Sequence, residues 1–278
     1  MAPLSSSETW EFIDSVQLLK SVLEKLHGLL SNPPSLFVDL EGINLSRSGS
    51  ISLFSLHVAP VSKTYLIDVF GLGHKAFTTE DATGTSLKSI LETEDITKVF
   101  FDIRNDADAL FSLQGIRVRG ITDLQVMEFA TRDSQPSRFV SGLAKCIKDD
   151  CPMPQYEKQK WLRTKDRVGA LFSPERGGSY QVFNERPLQK IIAEYSAEDA
   201  ALLPRLWKAY SAMLTSNTAF WQMMIRKETL KRIEQSQSQK LYCTYQVHGI
   251  WALGQARGTE GYEVLGQRST LGLSLSTE

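Results

Sequence analysis

Cysteine is scarce in this chain and follows no pattern. Cys146, Cys151 and Cys243 form no C-x-x-C pair, which argues against a disulfide framework and against a structural zinc site. A reduced intracellular compartment, nuclear or cytoplasmic, is the expectation. No apolar run approaches the roughly 20 residues that span a bilayer. The opening stretch MAPLSSSETWEF has neither the basic region nor the apolar core of a secretory leader. The expectation is a protein that is not secreted and has no membrane partner. Internal repeats are absent. So is an excess of either charge, since the formal net charge is −1. Any contact with nucleic acid must therefore come from a local patch.

What is present suits a globular domain. Of 278 residues, 42% are hydrophobic and 23% charged, enough to bury a substantial core. TWEFID (9–14) predicts a short strand, and Asp14 a helix N-cap for the 3.6-periodic stretch 15–30. LFVDLEG (36–42), GSISLFSLHVAP (49–60) and KTYLIDVF (63–70) predict three strands joined by short connectors, hence an antiparallel meander. Helix, strand and helix follow at 85–94, 98–101 and 102–115, the last closed by Gly115. The stretch 121–132 predicts a strand running into a helix, and 137–147 a helix. A polar, proline-interrupted segment bearing aromatics occupies 149–185. Helices are predicted at 187–214, with Pro204 as a boundary or kink, and at 218–239. Residues 240–278 have no sustained period and predict a loose tail. The order implies a mixed α/β sheet flanked by helices.

Three acidic features stand out. Asp39 and Glu41 lie two apart on a strand and so share a face. Burying both costs several kcal/mol per ion unless a cation pairs with them. The strand holds no Lys or Arg, so a hard divalent cation would answer. Exposure at a solvent-facing sheet end is the alternative. Asp102, Asp106 and Asp108 crowd the start of a predicted helix, where capping and the helix dipole already favour acids. Tyr195 and Asp199 are four apart on one helical face, where a tyrosine can also simply pack.

In order, D-x-E on the first long strand, an Asp opening a helix about 65 residues later, and Y-x-x-x-D on a late helix resemble the DEDD superfamily of 3′–5′ exonucleases. The tyrosine resembles that of the branch holding ribonuclease D and the Werner-type exonuclease domain. KVFFDIRNDADALFSLQGI and RPLQKIIAEYSAEDAALLPRLW resemble the second and third motifs. The resemblance covers about 9–214 and implies a ribonuclease H-like fold, with an antiparallel first three strands followed by parallel ones. It leaves 215–239 as a helical extension and 240–278 as a tail. It implies Asp39, Glu41, Asp106 and Asp199 as ligands of two divalent cations, Mg²⁺ or Mn²⁺, roughly 3.5–4 Å apart. Asp39 would bridge them, and Tyr195 would orient the attacking water. Leu110 and Gly115-Ile116 favour Asp106 over Asp102 and Asp108. Phe101 stands where many members carry a histidine.

Substrate grip is expected from 145–190, where ten basic residues face six acidic ones. Its centre, EKQKWLRTKDR (157–167), offers Lys158, Lys160, Trp161, Arg163, Lys165 and Arg167. Cations beside an aromatic suit single-stranded or 3′-recessed nucleic acid, while a solvated helix face with an inward tryptophan is the alternative. The implied activity is metal-dependent release of nucleoside 5′-monophosphates from 3′ ends. A catalytically inactive nucleic-acid-binding adaptor of the same fold, and a plain interaction module, are the competing expectations. Retention of every acid and the tyrosine favours activity.

Overall fold

The computed structural model describes residues 9–132, 139–215 and 218–238. The expected tail at 240–278, Cys243 included, lies outside the described residues. Six strands run in the order β1-β4-β3-β2-β5-β6: β1 (Trp10–Ile13), β2 (Leu36–Glu41), β3 (Leu53–Val58), β4 (Lys63–Asp68), β5 (Lys98–Phe100) and β6 (Ile121–Asp123). The pairs β2–β3 and β3–β4 are antiparallel, as the short connectors require, with Asp39 opposite Ser55. β5 runs parallel to β2 and β6 parallel to β5. The short β1 adds a parallel edge beside β4.

The helices are α1 (Val16–Lys25), α2 (Val69–Leu72), α3 (Lys75–Thr78), α4 (Leu87–Glu92), α5 (Arg104–Gln114), α6 (Leu124–Thr131), α7 (Leu143–Asp149), α8 (Gln155–Phe172), α9 (Lys190–Met213) and α10 (Thr218–Gln237). Ser15, not Asp14, caps α1: its Oγ accepts from the Leu18 N–H at 3.3 Å. The segment 149–185 is not irregular. Its prolines bracket α8, with Pro154 at the N-cap and Pro174 just past the end, while its Glu, Lys, Gln and Arg are good helix formers. α9 continues through Pro204, which removes the hydrogen bond that the Ala200 carbonyl would have accepted.

Period-two alternation divides β2 between two cores. Leu36, Val38 and Leu40 join α1, α4 and α5 on one face. Phe37 packs on the other with Leu203 and Leu206 of α9 and with Trp161 of α8. Asp39 and Glu41 continue along the Phe37 face, under α9. Gly42 ends the strand, because a Cβ there would meet the Ser50 carbonyl oxygen at 1.9 Å. That close approach lets the Ser52 N–H donate to the Glu41 carbonyl at 2.7 Å.

α10 covers the β6 edge and enters both cores. Ile233 joins the α5 side, while Trp221 and Ile225 join the α9 side. Between them Arg232, 4% exposed, donates to Asp123 Oδ2 at 2.7 Å and Gln125 Oε1 at 2.9 Å. Asp123 is fully buried. Arg232→Met leaves that carboxylate without its cation and should lower stability by about 3–5 kcal/mol, read as a drop in the urea midpoint. A loss below about 1 kcal/mol would show that the pair contributes little.

Candidate active site

Two of the three acidic features of the sequence meet at the C-terminal end of β2. β2 supplies Asp39 and Glu41, and α9 supplies Asp199. One carboxylate oxygen of each lies within 4.8 Å of the other two. Asp199 and Tyr195, one turn apart, turn inward with 3% and 6% exposure. Tyr195 packs its ring on Phe172 at 5.8 Å between centroids, and its hydroxyl lies in the field of Glu41 and Asp199.

Asp106 stands beside this cluster rather than within it. It is buried in the first turn of α5, in the field of Asp39. Its two competitors are directed elsewhere. Asp102 precedes the helix with φ 62°, so it shares no helical face with Asp106, and its carboxylate pairs with Arg104 at 2.6 Å. Asp108 pairs with Arg47 at 2.7 Å. The left-handed turn at Asp102 is held by Asp123, whose Oδ1 accepts from the Asp102 N–H at 2.9 Å and whose Oδ2 accepts from the Ile103 N–H at 3.3 Å. The Arg232–Asp123 pair therefore sets the start of the helix that carries Asp106.

Burial dominates the electrostatics. It pushes the Asp39 carboxyl up to about 7, reinforced by Asp199 and opposed by Lys165. Burial, then the charges of Asp39 and Asp199, hold Glu41 well above the ordinary carboxylate range. Burial and Asp39 do the same to Asp106. Burial, with Glu41 and Asp199 nearby, raises the Tyr195 phenol well above its usual value, so the hydroxyl is protonated at neutral pH.

The residues expected to grip substrate separate by helix face. Lys160, Arg163 and Arg167 are exposed on α8 and recur at helical spacing. Lys158 is half-buried and caps the Lys148 carbonyl at 2.8 Å. Trp161 and Lys165 point inward. Trp161 is 4% exposed and packed in the core, so its ring offers no face for a base. Lys165 donates to Asp199 Oδ2. The sequence offered this lysine as a substrate contact and not as a partner of Asp199; W-x-x-x-K on an amphipathic helix, with the tryptophan inward, was the available signal. It also missed Arg232, which interrupts the inward stripe Trp221, Ile225, Thr229 and Ile233 of α10.

A hard cation fits the donor set. Asp199 Oδ1 is buried and has no hydrogen-bond partner, and the cluster presents only oxygen ligands. A second group with metal-ligand spacing, Glu128, Cys146 and Asp150, is internally satisfied. Arg132 binds Glu128 at 2.7 Å, and the Tyr210 hydroxyl donates to Asp150 at 2.9 Å. Among the described residues no helix is long and apolar enough to cross a membrane.

Known proteins resemble the chain on both counts, sequence and fold. Residues 11–215 match the 3′-5′ exonuclease family. The piRNA biogenesis protein EXD1 of Mus musculus is 38% identical over 112 residues, 40% of this chain and 18% of that protein. Its Homo sapiens counterpart is 37% identical over 93 residues, 34% of this chain and 16% of that protein. The match thus spans less than a fifth of these curated relatives. The fold is similar to Trypanosoma brucei RNase D in complex with RNA U12, with TM-score 0.62, 22% identity, and 84% of this chain and 72% of that chain covered. It is also similar to Escherichia coli RNase D, an exoribonuclease involved in structured RNA processing, with TM-score 0.57, 18% identity, and 89% and 60% covered. The sheet is thus the ribonuclease H-like α/β sheet that the resemblance implied. With the match over 11–215, the chain belongs to the 3′-5′ exonuclease family.

Proposed function

We propose that this domain is a metal-dependent exonuclease that removes nucleoside 5′-monophosphates one at a time from 3′ ends. The observation that carries this reading is the convergence of Asp39, Glu41 and Asp199 within 4.8 Å, with Asp106 alongside. Asp39, Glu41, Asp106 and Asp199 would hold two divalent cations, Mg²⁺ or Mn²⁺, with Asp39 shared between them. When bound, such cations supply a hydroxide nucleophile at neutral pH and stabilise the departing 3′ oxygen.

The chain's own groups do the rest. Tyr195 keeps its proton and, with its ring packed on Phe172, presents its hydroxyl to orient the attacking water. Lys160, Arg163 and Arg167 give α8 an exposed basic face for the strand's phosphates. The likeness to RNase D and to piRNA biogenesis proteins favours single-stranded RNA over DNA, with 3′-recessed ends as further substrates.

The inactive-adaptor reading has one observation in its favour. Lys165 already neutralises part of the acidic cluster, as a cation would in an active enzyme.

The assay is mononucleotide release from 3′-labelled single-stranded RNA and DNA with Mg²⁺, Mn²⁺ or EDTA. Release should need metal. Asp39→Ala and Asp199→Ala should each lower it by about 10²–10³-fold, and Tyr195→Phe by about 10²-fold. Binding without release under any metal would favour the adaptor. The joint replacement of Lys160, Arg163 and Arg167 by Ala should weaken RNA binding and flatten its salt dependence by about 0.7 log units per lost contact. An unchanged slope would remove this face from the interface.

The buried carboxylates also predict a pH signature. Asp39 titrates near 7 in the folded chain against 3.8 ordinarily, so the metal-free fold binds this proton more tightly than the unfolded chain does. That contribution to stability is full below about pH 4 and is lost as pH rises through about 7. In EDTA at pH 8, Asp39→Asn should therefore be stabilising by roughly 1–4 kcal/mol, and near pH 4 it should be neutral. Denaturation curves at both values check this; an equal effect at both would mean that ionised Asp39 carries no burial cost.

A further inference from the structure

The acidic cluster already holds a cation that belongs to the chain. Trp161 and Lys165 lie one turn apart on α8, facing Tyr195 and Asp199, one turn apart on α9. The Lys165 ammonium bonds Asp199 Oδ2. It lies 5.0 Å from the Trp161 ring centroid and 4.9 Å from that of Tyr195, and the charges of Glu41 and Asp39 also act on it.

This placement has a consequence for any other cation. An ammonium and a hard metal ion compete for the same carboxylate lone pairs. Asp199 is engaged by Lys165 through one oxygen, while the other is buried without a partner. Two aromatic faces attract the ammonium without bonding it covalently or by hydrogen bonds, so the Asp199 contact is its one direct ionic hold among the described residues. The side chain is 25% exposed, and a lysine stem is flexible. The ammonium can therefore withdraw towards solvent while α8 stays packed through Trp161 and Val168.

We propose that Lys165 is a resident counter-cation of the active site, which holds Asp199 in the metal-free protein and is displaced when a divalent cation binds. The proposal rests on the metal-site reading above. Lys165 is in this sense a positioning residue: it keeps the carboxylates together before metal arrives and sets the free-metal concentration at which the site fills. Its interaction and the metal's are mutually exclusive, so by linkage each weakens the other equally.

Calorimetric titration of Mn²⁺ into the full chain tests this, with wild type, Lys165→Met and Lys165→Arg compared. Lys165→Met should bind Mn²⁺ about tenfold tighter or more, and Lys165→Arg, which keeps the charge, within about threefold of wild type. Without metal, Lys165→Met should melt below wild type, with the gap closing at saturating Mn²⁺. A second measurement uses wild type alone: amine labelling of Lys165, read by mass spectrometry, should rise several-fold when saturating Mn²⁺ replaces EDTA. Asp199→Asn, which should abolish Mn²⁺ binding, identifies the site. Equal Mn²⁺ affinity in wild type and Lys165→Met, or unchanged labelling with Mn²⁺ bound, overturns the displacement proposal and leaves the metal site standing. If neither wild type nor Lys165→Met binds Mn²⁺, the metal site falls and the proposal with it.

Discussion

Everything in this domain is arranged around a cost: four carboxylates, Asp106 and Asp199 buried and Asp39 and Glu41 half-buried, gathered near the end of one strand. Isolated charges of one sign in such a place repel each other and lose their hydration. The chain tolerates the cost because β2 lies in the interior of the sheet, where the apolar side chains before Asp39 leave no freedom to turn outward. The same burial raises the affinity of Asp39 and Glu41 for protons. Any cation that enters is therefore held by groups that gain from its arrival. Lys165 is the part of that compensation encoded in the chain.

The cost is shared among elements distant in sequence. Asp106 belongs to α5, and α5 begins where a left-handed Asp102 is pinned by Asp123. Asp123 in turn is held by Arg232 of α10. Arg47 ties Asp108 of the same α5 to the Ser236 and Ser238 carbonyls at the end of α10. α10 is thus integral to the sheet edge, and it reaches the start of the helix that carries Asp106 through Asp123.

Much of this was legible from local pattern. Alternation in 36–42 names the strand and the face that both acids share, and Gly115 marks the helix end at its observed C-cap. The choice of Asp106 over Asp102 and Asp108 came from the family resemblance, through Leu110 and Gly115-Ile116, and not from local pattern. Where local reading failed, the reason is also local. Ser15 and Asp14 are both good caps, and only backbone geometry decides between neighbours. The prolines flanking α8 hid its bounds, and between a stacking platform and an inward-packed residue at Trp161 only packing decided for the second. The partners of Lys165 and Arg232 were not legible, because a charge on a helix becomes informative only when its surroundings are known.

The sequence by itself determined which chemistry is available: oxygen ligands, a tyrosine, no C-x-x-C pair, and acids whose i,i+2 and i,i+4 spacing follows from the strand and helix periods. These are properties of the backbone and need no partner. Tertiary structure alone decided which acids meet, which cation stands among them and which basic residues remain free for a polymer. Those outcomes depend on how α8, α9 and α10 pack against the sheet, and distances between residues more than 100 positions apart are set by that packing and not by any local period.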